Sequence, residues 1–234
     1  MITVCWSVKG GSGTSTIAAS LAMLERPGSL LVDLCGDSAA LFGIDAPPGL
    51  GLSDWFASNA AAASLAALYV PVGNDDALLL PSTRRLDRDE SSSERYSVLG
   101  DWLHEQSAER SVIVDAGIAS APVIAALISS ESTRSLLVLR PCYLAVRRAV
   151  SLPARVDGIV VVREEGRSLS NADIESATGQ RVLTEVAVDP TIARAIDAGL
   201  MNTRMPRPLR RSLRALIKSD NSLGQVRNDR RHVA

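Results

Sequence analysis

The sequence predicts an α/β fold: a mostly parallel, doubly wound sheet with helices on both faces, in three layers. Three observations carry that expectation. Short apolar runs alternate with segments of helical spacing along the whole 234-residue chain. The runs, such as SLLVD at 29–33 and GIVVV at 158–162, are continuously apolar. Strands read that way when helices cover both faces of a parallel sheet. A glycine-rich turn, VKGGSGTST at 8–16, joins the first apolar run to the first helical one. Sheets of this kind bind ligands beyond the C-terminal ends of their strands.

Each element follows from its local pattern. Ile2–Val8 is β-rich and reads as the first strand. Ser15–Glu25 carries Ile17, Leu21 and Leu24 at helical spacing. Ser29–Asp33 is a short buried strand, followed by a small helix through Ala39–Phe42. Two Pro and two Gly make Ala46–Gly51 a turn. Leu52–Ser58 and Ala60–Leu68 read as helices, and Tyr69–Val72 and Ala77–Leu80 as short strands. The polar stretch Ser82–Ser93 predicts a surface loop. Next come a helix at Glu94–Gln106, a strand at Ser111–Asp115, a helix at Pro122–Ser129 and a strand at Leu136–Leu139. The pattern continues with a helix at Cys142–Leu152, a strand at Gly158–Val162, a helix at Asn171–Thr178 and a strand at Val182–Val186. It closes with helices at Pro190–Gly199 and Pro208–Lys218. No linker or repeat divides the chain, so residues 1–220 are expected to form one domain and 221–234 a flexible basic tail.

Composition narrows the function classes. At 46% hydrophobic and 22% charged residues the chain is globular, not disordered. No run reaches the roughly 18 apolar residues of a spanning helix, and the strand-like N-terminus shows no signal peptide. Three scattered cysteines without metal spacing predict a reduced, cytoplasmic protein. Two histidines exclude a His-rich metal site, and 3% aromatics are too few for a base-stacking platform. The formal charge of −1 hides an asymmetry, because residues 201–234 carry +7 and the first 200 residues −8. Of the 25 basic residues only Lys9 and Lys218 are lysines.

The glycine turn is the most informative stretch. Gly10, Gly11 and Gly13 let backbone amides curl around an anion, and the helix that follows adds the partial positive charge of its N-terminus. Ser15 or Thr16 offers a hydroxyl to Mg²⁺. Asp33 and Asp115 each end an apolar strand. Either alone reads equally as a turn former, but both after a glycine loop favour a nucleotide site.

VKGGSGTSTIAASLA resembles the deviant phosphate loop of the ParA/MinD superfamily of P-loop NTPases, whose pattern is Lys-Gly-Gly-x-Gly-Lys-[Ser/Thr]. Lys9 matches the signature lysine, which in that group reaches across a nucleotide-sandwiched dimer. The second lysine falls on Thr14, a variant similar to the CpaE/TadZ branch. SLLVDLCGDSAALFG resembles the segment after the second strand, so Asp33 matches its first acid. The second acid, which positions the attacking water in the family, falls on Cys35, or on Asp37 in a shifted alignment. SVIVDAG resembles the Walker B strand, which gives Asp115 the role of binding Mg²⁺ through water. VAVDPTIARAIDAGL resembles the segment bordering the base, which brings in Asp189 and Pro190. Arg163-Glu164 stands where the family often has Asn-Arg.

The resemblance implies that Lys9, Gly10, Gly11, Ser12, Gly13, Thr14, Ser15 and Thr16 hold ATP or ADP. Ser15, Asp33 and Asp115 would serve Mg²⁺, and Lys9 and Asp33 the chemistry. It implies a homodimer on ATP binding that positions a partner, as in partition, septum placement or pilus assembly. Hydrolysis would be slow or absent, given Thr14 and Cys35. A pseudo-ATPase scaffold that keeps the fold and dimer surface is the alternative.

At the basic end, Leu209, Leu213, Leu216 and Ile217 form one apolar stripe, and Arg207, Arg210, Arg211, Arg214 and Lys218 fill the other positions. An anionic membrane, DNA phosphates, a partner's groove and simple packing on the sheet all fit this pattern. The expected location is cytoplasmic, peripheral at the membrane or nucleoid.

Overall fold

The computed structural model describes residues 1–25, 28–44, 50–73, 77–86, 93–151 and 154–217. Lys218 and the basic tail at 221–234 therefore lie outside the described residues. In chain order the elements are β1 (Ile2–Ser7), α1 (Thr14–Leu24), β2 (Ser29–Asp33), α2 (Ser38–Leu41), α3 (Leu52–Phe56), a 3-10 helix (Ala62–Leu68), β3 (Val70–Val72), β4 (Ala77–Leu80) and α4 (Ser93–Gln106). The chain continues with β5 (Ser111–Ile118), α5 (Ala121–Leu127), β6 (Thr133–Leu139), α6 (Tyr143–Val150), β7 (Gly158–Arg163), α7 (Asn171–Thr178), β8 (Val182–Ala187) and α8 (Pro190–Asp197). Residues 207–217 form a last helix, α9.

The strands make one eight-stranded sheet in the order β3-β4-β2-β5-β1-β6-β7-β8. Every pairing is parallel except the edge hairpin β3–β4. The alternation of strand side chains sorts the apolar runs onto two faces. Ile2, Val4 and Trp6 of β1, Leu30 and Val32 of β2, and Ile159 and Val161 of β7 join one core with α3 to α7. Cys5, Leu31, Ile113, Val138, Val160 and Val162 join the other, under α1, α2, α8 and α9. The three-layer expectation is met, and the reason is visible in the sequence: a run such as GIVVV feeds both cores at once.

Three elements differ from expectation. The Ala-rich segment is a 3-10 helix with only Leu65 buried, so it lacks the apolar face that would hold an α-helix against the sheet. β5 runs on past Asp115 to Ile118, which carries Gly117 up beside the glycine loop. The stretch after β4 is packed rather than free as far as Leu86. Ser82 and Leu86 are buried, Ser53 and Thr83 share a 2.7 Å hydrogen bond, and the Leu86 N–H donates to the Leu34 carbonyl at 3.2 Å. Residues 87–92 of that expected loop lie outside the described residues.

The apolar stripe of α9 is covered. Leu209, Leu213 and Leu216 are buried in the second core. Arg134 donates to the Leu216 carbonyl at 3.2 Å and Thr184 to the Ser212 carbonyl at 2.9 Å, which ties α9 to β6 and β8. Arg207, Arg211 and Arg214 stay exposed. Because the stripe is part of the core, Leu213→Ala should lower unfolding free energy by about 2–5 kcal/mol in urea titration. A loss under about 0.5 kcal/mol would mean that the stripe is free to engage something else.

Candidate functional site

Parallel pairing sets the C-terminal ends of β2, β5, β1, β6 and β7 along one edge of the sheet. Period-2 alternation then decides which side chains face α1 there. Asp33 shares a face with Leu31, and Asp115 with Ile113, and both leucine and isoleucine sit in the core under α1. The two acids are direct register partners on neighbouring strands and both are fully buried. With Cys35 they bring three ligand atoms within 4.8 Å of one another.

Two buried carboxylates this close raise each other's affinity for protons. The Asp115 carboxyl is pushed up to about 7, first by burial and then by the charge of Asp33. The Asp33 carboxyl is pushed up by burial, and the N–H groups of Ser38, Cys35 and Gly36 oppose the shift. Those three donors occupy Asp33 closely. Oδ1 accepts from Cys35 at 2.8 Å and Gly36 at 2.9 Å, and Oδ2 from Ser38 at 2.9 Å. Asp33 thus shapes the turn after β2 as well as bordering the cluster.

Asp115 is treated differently. Its Oδ1 accepts from the Gly117 N–H at 3.1 Å. Ser15 comes near enough to favour the charged carboxylate, yet Oδ2 is buried with no partner in hydrogen-bonding geometry among the described residues. A buried oxygen left so costs about 1–3 kcal/mol, and an oxygen-seeking divalent ion would recover it. Cys35 is buried, its thiol pushed up by desolvation and by Asp115 and Asp33, and its Sγ donates weakly to the Asp115 carbonyl at 3.7 Å. Gly117 has φ +53°, and a Cβ there would collide with Cys35 Sγ. Asp37, the other candidate for the second acid, is exposed beside α2 and outside this cluster.

The glycine loop crosses directly above β1. Gly11 (φ +72°) and Gly13 (φ +89°) take left-handed conformations that L side chains resist. The Ile17 N–H donates to the Gly13 carbonyl at 3.0 Å, the first bond of α1. The N–H groups of Thr14, Ser15 and Thr16 precede it, where a helix leaves its donors free and partly positive. Ser12 donates to the Lys9 carbonyl at 2.7 Å, Ser7 to the Lys9 and Gly117 carbonyls at 3.2 Å, and Arg148 to the Val8 carbonyl at 3.3 Å. These bonds pin the loop. Lys9 is exposed at its rim, and Thr14 is buried. Ser15 lies near enough to Asp115 to favour its charged form, whereas Thr16 lines a cleft on the β6–β8 side.

That cleft, about 150 Å³, is walled by Gly13, Arg140, Val162, Val186, Val188 and Asp189 as well as Thr16. Asp189 lies beside the loop as expected, but its carboxylate caps α8, accepting from the Thr191 N–H at 2.6 Å and hydroxyl at 2.5 Å. Pro190 follows as the first residue of α8. Arg163 pairs with Glu185 at 2.9 Å and donates at 2.6 Å to the Leu169 carbonyl and to Asn171, so it braces the cleft wall. A larger hollow, about 890 Å³, lies between α8 and α9 and shares Asp189 with this cleft. The smaller cleft, unlike the larger hollow, is lined by Gly13 and Thr16 of the glycine loop and the α1 N-terminus, so it adjoins the candidate phosphate site. From sequence, the Arg140-Pro141-Cys142 turn reads either as a contact to phosphate or a partner or, by preference, as solvated helix charge; the valine wall carries no spacing signal and escaped that reading.

The arrangement suits a Mg-nucleotide: loop amides for phosphates, Ser15 and the unpartnered Asp115 oxygen for the ion, and an apolar cleft for a base. The fold is that of the MinD/ParA-type P-loop NTPases. The chain is similar over 96% of its length to the septum site-determining protein MinD from Pyrococcus horikoshii, solved with Mg-ADP. That match covers 97% of that chain, with 17% identity and a TM-score of 0.73. A ParA family ATPase from Chlorobium tepidum matches at 18% identity and TM-score 0.68, over 92% of this chain and 98% of that one. A chain of the MinC:MinD cell division protein complex of Aquifex aeolicus matches at 19% identity and TM-score 0.65, over 85% of this chain and 86% of that one. No family model and no curated protein matches the chain.

The raised Asp115 carboxyl sets a pH dependence. Its folded value of about 7 lies above the unfolded value near 3.9. Between these the folded state binds more protons, so this group's contribution to stability is full below pH 4 and is lost as pH rises through 7. Asp115→Asn removes the titration. In the absence of metal and nucleotide, the variant should therefore gain melting temperature over wild type at pH 8 and lose that advantage towards pH 5. A pH-independent difference would contradict the burial and pairing described.

Proposed function

We propose that the chain binds ATP or ADP with Mg²⁺ at the glycine loop and uses nucleotide-dependent homodimerisation to position a partner. The observation that carries this is the convergence of the loop amides, Ser15 and the unpartnered Asp115 oxygen at one point on the strand edge. The Mg-ADP of the Pyrococcus horikoshii protein and the MinC:MinD assembly of Aquifex aeolicus support the same reading. Membership of the ParA/MinD superfamily, with its deviant loop and CpaE/TadZ-like variant, belongs to this proposal.

Each residue has a role. Gly10 to Thr16 hold phosphates, and Asp33, Ser15 and Asp115 surround the ion. When bound, Mg²⁺ would supply charge to the terminal phosphate. Lys9 is exposed, so it can reach phosphates in its own chain or in a second copy. Hydrolysis is slow or absent, because Thr14 brings no charge and the protonated Cys35 thiol cannot orient water as a carboxylate does. The oxygens of Asp33 already serve three backbone amides.

Residues 1–220 act as one unit in this reading, cytoplasmic and peripheral at a membrane or nucleoid. Among the described residues no helix is long and apolar enough to cross a membrane. With the α9 stripe buried, Arg207, Arg210, Arg211 and Arg214 are left to attract lipid headgroups or DNA phosphates by charge alone.

Calorimetry with Mg·ATP should show binding, and sedimentation should show dimers with ATP only. Lys9→Ala should abolish the ATP-dependent dimer, and unchanged sedimentation would defeat the role of Lys9. Thr14→Lys should tighten ATP binding about tenfold or more, the value of one charged hydrogen bond. Absence of any binding at millimolar nucleotide would leave the pseudo-ATPase scaffold as the function.

A further inference from the structure

We propose that Arg140 binds the nucleoside-proximal phosphates, so that the charge absent at Thr14 is replaced at the opposite end of the phosphate chain. The inference rests on the nucleotide reading above and specifies how the site holds its ligand.

Strand order fixes the two ends of the site. The acids stand on β2 and β5, to one side of β1, and the apolar cleft on β6, β7 and β8, to the other. The glycine loop and the α1 N-terminus lie between. A nucleotide with its base in the cleft and its metal at Asp115 must run its phosphates across the helix N-terminus in that direction. Arg140 follows the last residue of β6 and lines the cleft together with Gly13 and Thr16. It therefore meets the phosphates next to the ribose, and the position of Thr14 serves those nearer the metal.

Arg140 is also a cation with bonding capacity to spare. Its Nε is buried and has no hydrogen-bond partner among the described residues. Its neighbours are committed: Arg148 to the Val8 carbonyl, Arg163 to Glu185, Leu169 and Asn171, and Arg167 to Glu164 at 2.5 Å. Arg167 most strongly, and Arg140 and Lys9 after it, favour the charged form of Glu164, so all three stand within electrostatic range of it. A planar guanidinium there offers a phosphate paired donors that an ammonium cannot.

This placement separates binding from turnover. Charge at the nucleoside-proximal phosphates stabilises bound ADP and ATP alike. It does little for the terminal phosphate, where charge moves in the transition state. Arg140 thus explains how a loop lacking one lysine could retain a nucleotide it barely hydrolyses.

The test compares Mg·ATP, Mg·ADP and AMP binding to wild type, Arg140→Gln and Arg140→Lys by calorimetry, with melting curves to confirm folding. Arg140→Gln should weaken all three nucleotides by a similar factor, about tenfold or more, and Arg140→Lys by less. Unchanged ADP affinity in a folded Arg140→Gln variant, with wild type binding normally, would overturn the inference alone. Loss for ATP with AMP unchanged would also overturn it, by placing Arg140 at the terminal phosphate. Wild type that binds no nucleotide would overturn both this inference and the reading beneath it.

Discussion

Two carboxylates side by side at the ends of adjacent strands are the constraint around which this site is arranged. Asp33 and Asp115 are register partners in a parallel pair, both turned towards α1 and both buried. A sheet gains nothing from such a pair, because each charge loses hydration and repels the other. The fold relieves the strain unequally. Asp33 receives three backbone N–H groups from the turn it organises. Asp115 receives one at Oδ1 and keeps a bare oxygen beside Ser15. That unequal relief holds one carboxylate fixed and leaves the other reactive towards a cation.

The rest of the site follows from where the glycine loop lies relative to that pair. β1 is central in the sheet, with the acids on one flank and the cleft on the other. The loop's amides can thus serve an anion that spans both. Cys35 fills the space beside Asp115 where an acid would add a third negative charge, and Gly117 is held to glycine by the sulfur it faces. The thiol eases that repulsion and, under the proposed function, leaves no carboxylate at this position to align water.

Much of this was legible in the sequence. Continuously apolar strands such as SLLVD announced the doubly covered sheet, because only residues buried on both sides can be apolar at every position. The glycine loop, Asp33 and Asp115 were legible because each needs a particular residue type at a strand end. What escaped depends on contacts between distant segments. The extension of β5 to Ile118 follows from the fit of Gly117 against Cys35. Arg140 reads from sequence more readily as solvated charge than as a phosphate contact, and the cleft walled by β6, β7 and β8 shifts that balance. The basic helix showed the limit most clearly: its stripe reads alike for membrane, partner and core, and the structure puts Leu209, Leu213 and Leu216 in the core.

Under the proposed function, the central claim is that the Asp115 carboxyl, pushed up to about 7 by burial and by Asp33, is the group kept for a metal-bound nucleotide. Proton release measures it most directly. Calorimetry of preformed Mg·ADP binding at pH 7, repeated in two buffers of different ionisation enthalpy, counts the protons displaced as the ion arrives. Wild type should release a substantial fraction of a proton, and Asp115→Asn should release none. Binding that moves no proton, or moves the same amount in both proteins, would contradict the claim.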